Sequence, residues 1–267
     1  MQTHDDHRRR YEGQLRHTWP RTLKRLTVNL MVTMALGAAL LLYLDMAPAQ
    51  AGSFRIRPTR LIFSAEQRTQ SFSVVNPTDV PVVVQLRMKA WSQQQGEDVY
   101  TDSRDLLVTP PIITVPPGAT QTVRAGLRKP AGADQERAYR LFAHEVPTPS
   151  SSGAPQVQVV LRLSIPVFVL SRVPVKMNLR WRTEKTSNGG MTLHFHNDGN
   201  SHVQVHQLHL VTADRTEVPV KLEGLNYVLP GQAKQWPVDA QLAGAPLQVV
   251  ADTDQGEFRT QLHVSGH

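Results

Sequence analysis

Cysteine is absent from the 267 residues. That excludes a disulfide scaffold, a thiolate metal site and a thiol nucleophile, and it leaves the compartment open, because a domain of ordinary size can rely on its core. The chain also lacks a phosphate-cradling GxxxxGKS/T, a GxGxxG, an HExxH and a GxSxG. No acidic pair sits in a setting suited to general acid–base work, so neither an enzyme nor a cofactor is expected. Aromatic residues are scarce, with 4 Trp and 5 Tyr. That scarcity argues against the exposed aromatic platforms of a secreted tandem-sandwich adhesin or sugar-binding module. Long helical patterns are few, whereas 19 prolines and many β-branched residues point to an all-β chain.

The first 51 residues read as a targeting segment. Arg8, Arg9, Arg10, Arg16, Arg21, Lys24 and Arg25 precede an apolar run from Leu26 to Leu44. Ala49-Gln50-Ala51 then fits a small-x-small cleavage site, which predicts a chain beginning at Gly52. The run, roughly 19 residues long, also approaches membrane-spanning length, so an uncleaved anchor is the other reading. Both readings put the body of the protein outside the cytoplasm. This segment holds 7 Lys+Arg and 4 Asp+Glu of the chain's 29 and 22, leaving 22 and 18, a net +4. Such a balance gives no argument for a nucleic-acid partner.

Period-2 alternation, by contrast, is plentiful. In QVQVVLRLSIPVFV, residues 156–169, apolar side chains occupy Val157, Val159, Leu161, Leu163, Ile165, Val167 and Val169. This pattern predicts one long β-strand, against a usual length of about five or six residues. Pro166 removes a ladder donor, so part of the strand belongs at a sheet edge or a bulge. A long apolar edge invites pairing and is normally blunted. Either its own domain covers it, or pairing with another chain is its purpose.

Two domains follow from the spacing of strands and turns. The first, residues 52–171, has strand candidates at 54–63, 69–75, 82–91, 112–115, 121–127, 138–146 and 156–169. Asn-Pro-Thr-Asp at 76–79, Pro-Pro-Gly at 116–118 and the stretch 147–155 separate them. The second, residues 172–267, has candidates at 176–181, 191–196, 202–211, 218–222, 234–238, 247–251 and 259–264. About seven short strands in each, with turns at this spacing, predict two immunoglobulin-like β-sandwiches in tandem. His194, His196, His202, His206 and His209 cluster in the second. If 191–196 and 202–206 formed a hairpin, the first four would share one outward face that could bind zinc or copper in a metal-handling protein. The plainer reading is the polar outer face of a half-exposed sheet.

These residues resemble PapD-like periplasmic pilus chaperones. The resemblance runs through Ser53–Phe63, the run from Asn76 to Gln85 with Trp91, Pro110–Arg124, Tyr139–Pro147 and the 156–169 strand, in that order. Asn197–His202 and Leu229–Gly231 extend it into the second domain, and Leu163–Val169 is similar to the archaic, spore-coat-protein-U-associated branch. The resemblance implies a periplasmic protein that stabilises pilus subunits, themselves sandwiches missing a strand, and delivers them to an outer-membrane usher. The chaperone would lend its 156–169 strand, with Val157, Val159, Leu161, Leu163 and Ile165 filling the subunit's groove. Five such side chains at roughly 1.5–3 kcal/mol each give on the order of ten kcal/mol before ordering costs. The free protein could cap this edge by forming a homodimer.

The resemblance also implies that basic residues grip the subunit's C-terminal carboxylate. Arg60 matches the first-strand arginine of the family, and a guanidinium suits a carboxylate. The family's lysine on the donated strand aligns with Pro166, so either Arg60 alone suffices or another base substitutes, for which Arg140 is the candidate. A buried ionic triad fixes the angle between domains in the better-known branch. Glu136 matches one acidic member and Asp254 is the candidate for the other, but the central arginine position aligns with Leu170.

Overall fold

The computed structural model describes residues 54–130, 134–147, 159–187, 190–238, 247–262 and 264–265. Among these, every regular element is a strand. The first half runs β1 (Arg55–Arg57), β2 (Leu61–Phe63), β3 (Thr69–Val75), β4 (Val82–Gln94), β5 (Glu97–Asp102), β6 (Leu106–Thr109), β7 (Ile112–Val115), β8 (Thr120–Leu127), β9 (Arg137–Val146) and β10 (Arg162–Val169). One sheet has the order β1-β3-β8-β6; the other has β2-β10-β9-β4-β5, with β7 also paired to β4. Both contribute to one core that includes Phe54, Phe63, Phe72, Leu141 and Val167.

The stretch 54–63, one strand by its sequence pattern, folds as two. Pro58 has no N–H for a ladder, the chain bends there, and the strand changes sheets. β1 pairs antiparallel with β3, and β2 pairs parallel with β10. Two strands, β5 and β6, had no clear sequence signal. β4 and β5 are joined through Gln95 and Gly96, with φ of 53° and 86°. This is a tight turn of the type usually marked by Asn-Gly or Asp-Gly, and a glutamine in the first place hides it.

The second half runs β11 (Leu179–Lys185), β12 (Met191–Asn197), β13 (Val203–Val211), β14 (Glu217–Pro219), β15 (Tyr227–Val228), β16 (Ala233–Val238), β17 (Leu247–Thr253), β18 (Gly256–Leu262) and β19 (Val264–Ser265). Its sheets are β16-β12-β11-β19 and β14-β13-β17-β18, with β15 on β13. Their core includes Leu193, Phe195, Leu210 and Trp236. β12 and β13 thus lie in different sheets, and the hairpin that would have gathered four histidines does not form. β12 pairs with β11 and β16 instead. Among the described residues, no group of three His, Asp or Glu side chains is placed to hold a metal.

An equivalent device pins each half. Asn76, fully buried, donates to the carbonyls of Val80 (2.7 Å) and Val115 (3.0 Å) and accepts from the Thr78 amide (2.9 Å). Asn197, also fully buried, donates to the carbonyls of Ser201 (2.8 Å) and Val228 (3.1 Å) and accepts from the Gly199 amide (3.0 Å). A Cβ on Gly199 would stand 2.4 Å from the Lys176 carbonyl oxygen, so this turn requires glycine. The same turn holds residues 176–178 through Lys176 N–H to Asn200 Oδ1 (2.7 Å) and Asp198 N–H to the Asn178 carbonyl (2.8 Å). With those groups engaged, β11 begins at Leu179, three residues later than the spacing suggested.

Candidate functional site

The long strand of the sequence is shorter in the structure. β10 spans Arg162–Val169, and the Glu145 amide adds one more rung by donating to the Leu161 carbonyl (3.0 Å). Val157 lies outside the described residues. Val159 is 85% exposed, Leu161 and Leu163 are half-buried beside the first core, and Ile165, 6% exposed, belongs to that core. In the chain alone, Ile165 is therefore already committed to its own sandwich.

Backbone parity explains Pro166. Because Leu161 bonds Glu145, the odd residues of β10 direct their peptide groups toward β9; consistently, the Leu170 amide donates to Phe63 on the other side (2.9 Å). The Pro166 nitrogen therefore points away from β9 and costs that ladder nothing. β2 covers the outer side only opposite Val167–Val169. From Arg162 to Pro166 the outer edge of β10 has no strand beside it among the described residues.

The face of β10 opposite the core leads into the contact between the sandwiches. Phe168 packs with Trp91, Tyr227 and Leu229. Trp91 meets Tyr227 edge-on at 5.4 Å, and the His202 ring stacks on Phe168 at 3.5 Å and 4°. Buried Gln93 stitches the join: its amide donates to the Tyr227 carbonyl (2.8 Å) and its carbonyl accepts the Leu229 amide (2.9 Å).

Arg140 and Arg60 flank this cluster on different terms. Arg140, 3% exposed, is the register partner of Pro166 on β9. A cation thus lies directly across the ladder from the position where the resemblance places one. Its guanidinium lies 3.9 Å over Trp91 and 5.4 Å over Tyr227, and its Nε has no hydrogen-bond partner. With Tyr100, Ser164, Tyr227, Lys221 and Lys234 it lines a cleft of about 680 Å³. Burial and the hydrogen bond to Asp98 push the Tyr100 hydroxyl up to about 12, with Arg140 acting in the opposite direction.

Arg60, whose side chain is 31% exposed, is already engaged by the second sandwich. It donates to Gln204 Oε1 (2.9 Å), to the Tyr227 hydroxyl (3.0 Å) and to Asp254 Oδ2 (3.3 Å). Asp254 in turn faces His202 Nε2 at 3.2 Å, while Glu136 Oε1 lies 2.6 Å from His202 Nδ1. Glu136 and Asp254, the two acids singled out from the sequence, are therefore joined by a histidine, where the family pattern would place arginine. His202, which the sequence pattern places on a polar outer face, is instead buried. Nothing local in the sequence signals this, since its partners lie 66 and 52 positions away in opposite directions.

Residues 53–171 match the family described as pili and flagellar-assembly chaperone, PapD N-terminal domain. The chain is 27% identical over 173 residues to the chaperone protein FimB/FhaD of Bordetella pertussis, covering 60% of this chain and 68% of that one. Its fold is similar to a chain of the CsuC–CsuE chaperone–tip adhesion subunit complex from the archaic Csu pili of Acinetobacter baumannii, with a TM-score of 0.61, 19% identity, and 80% and 100% of the two chains covered. A chain of the Salmonella enterica SafA pilin–SafB chaperone complex gives a TM-score of 0.57 at 20% identity, with 79% and 97% covered. Residues 53–171 thus match the PapD N-terminal domain of pili and flagellar-assembly chaperones, and the chain shares the fold of the two solved structures.

Proposed function

We propose that the chain is a periplasmic chaperone that holds pilus subunits by lending them the N-terminal part of β10 and then delivers them to an outer-membrane usher. The observation that carries this reading is the outer edge of β10 from Arg162 to Pro166, which has no described neighbour strand while the same strand is held on its other side by β9. An incoming subunit strand would find outward peptide groups at Arg162 and Ser164, the geometry of strand addition. Leu161 and Leu163, with Val157 and Val159 ahead of them, would enter the subunit's groove. Ile165 would join them only where the subunit core abuts that of the first sandwich.

Arg140 is the principal anchor for the subunit's terminal carboxylate in this proposal, and Arg60 supports it. A desolvated guanidinium with an unpartnered Nε on an aromatic floor gains most from an incoming carboxylate. Arg60 already shares its charge with Asp254. Archaic, spore-coat-U-like subunits are the first partners to test. Co-expression with such a subunit, followed by purification on a subunit tag, should co-purify the wild-type chain and leave Leu161→Asp behind. Undiminished capture by Leu161→Asp would refute the donated strand.

A further inference from the structure

The contact between the sandwiches has a charge balance that depends on one proton. Glu136, in the first sandwich, has a side chain only 1% exposed; the His202 side chain, in the second, is 5% exposed. The Glu136 carboxylate receives the His202 ring at 2.6 Å, the His202 amide at 3.2 Å and the Ser201 hydroxyl at 3.0 Å. Among the described residues, no other cation is within salt-bridge distance of Glu136. Asp254 Oδ2 is shared between His202 (3.2 Å) and Arg60 (3.3 Å), and its Oδ1 accepts the Gln204 amide (2.8 Å). Two carboxylates thus face one guanidinium and one imidazole. With both carboxylates ionised, an imidazolium balances them, and an uncompensated buried carboxylate is strongly unfavourable.

We propose that His202, as an imidazolium, is the positioning residue that sets the two sandwiches relative to each other, and that this lock releases when the ring loses its proton. The ring hydrogen-bonds Glu136 through Nδ1, and Nε2, which has no hydrogen-bond partner among the described residues, faces Asp254 Oδ2 at 3.2 Å while the ring lies flat on Phe168 of β10. Through Asp254 it also fixes the carboxylate that holds Arg60. The ionisable groups around it are Glu136 and Arg60 from the first sandwich and Asp254 and Tyr227 from the second. An arginine at this place would be charged at every attainable pH; a histidine is not.

Burial lowers the affinity of the ring for its proton, but the carboxylates of Asp254 and Glu136 outweigh burial and raise it above the ordinary value. The stabilisation is therefore complete below pH of about 6.5 and is lost as pH rises through the higher folded value.

Because the chain has no cysteine, one spin label can be placed on each sandwich through Thr122→Cys and Thr260→Cys, both exposed positions. Pulsed dipolar spectroscopy on the isolated chain then reads their separation without any subunit. The expected result is one narrow distance at pH 6 that broadens by pH 9. His202→Asn should be broad at both pH values, and His202→Arg, which keeps charge and ring stacking, narrow at both. A wild-type distribution unchanged from pH 6 to pH 9, or a narrow one in His202→Asn, would overturn the proposal. Should the variants not fold, nuclear magnetic resonance titration of the wild-type ring decides: protonation persisting above pH of about 6.5 supports the lock, and a lower midpoint rejects it.

Discussion

The two ends of β10 share one alternating sequence and meet opposite surroundings. From Ile165 to Val169 every side chain is buried, and β2 closes the outer edge at Val167–Val169. From Leu161 to Ser164 no described strand lies outside, and Leu161 and Leu163 are half-buried. The odd positions are apolar at both ends, so the pattern identifies a strand without saying whether that strand is finished. The neighbour decides that. β2 is three residues long because the chain bends at Pro58 and Thr59 before rejoining the other sheet, and so it cannot reach the upper half of β10.

Substitutions at the two ends should separate fold from capture. The largest loss of stability is expected at the covered end. Val167→Asp places an unpaired charge in the first core and should cost about 4 kcal/mol or more, read as a collapse of the denaturant midpoint. The double change Leu161→Asp and Leu163→Asp should leave that midpoint within about 1 kcal/mol, because these side chains are only half-buried. Subunit capture by the same protein should fall at least ~100-fold, the equivalent of two lost side-chain burials.

Arg140→Ala should weaken capture by about ten- to a hundredfold, the scale of one charge-assisted hydrogen-bonded pair. Arg60→Ala should cost less affinity, since its guanidinium is shared with Asp254, and should act mainly on the contact between sandwiches. Titration calorimetry on both variants ranks them, and a larger effect at Arg60 would reverse the assignment of the anchor. The smallest effect belongs to Pro166→Ala. With its nitrogen turned away from β9, the change should alter stability by less than about 1 kcal/mol.

Much of this was legible in the sequence, for identifiable reasons. Strands that alternate and end in Pro, Gly or Asn declared themselves: Thr69–Val75 and Ile112–Val115 carry the bounds expected of them. The Asn76 and Asn197 turns did the same. What stayed hidden depends on distant pairing. The break of 54–63 into two sheets, the placement of Arg140 opposite Pro166, and the seating of His202 between Glu136 and Asp254 all join residues tens of positions apart. Local pattern can nominate such residues but cannot pair them. His202 shows the cost: its separation from His194 and His196 appears only once β12 and β13 fall in different sheets.

Strand addition at the upper edge of β10 can be read residue by residue in amide hydrogen exchange. The N–H groups of Arg162 and Ser164 point outward, while that of Leu163 points to β9. In the free chain the first two should exchange quickly and the third slowly. Binding of a subunit should protect Arg162 and Ser164 and leave Leu163 nearly unchanged. A complex in which Arg162 and Ser164 exchange as fast as in the free chain would contradict strand addition at this edge.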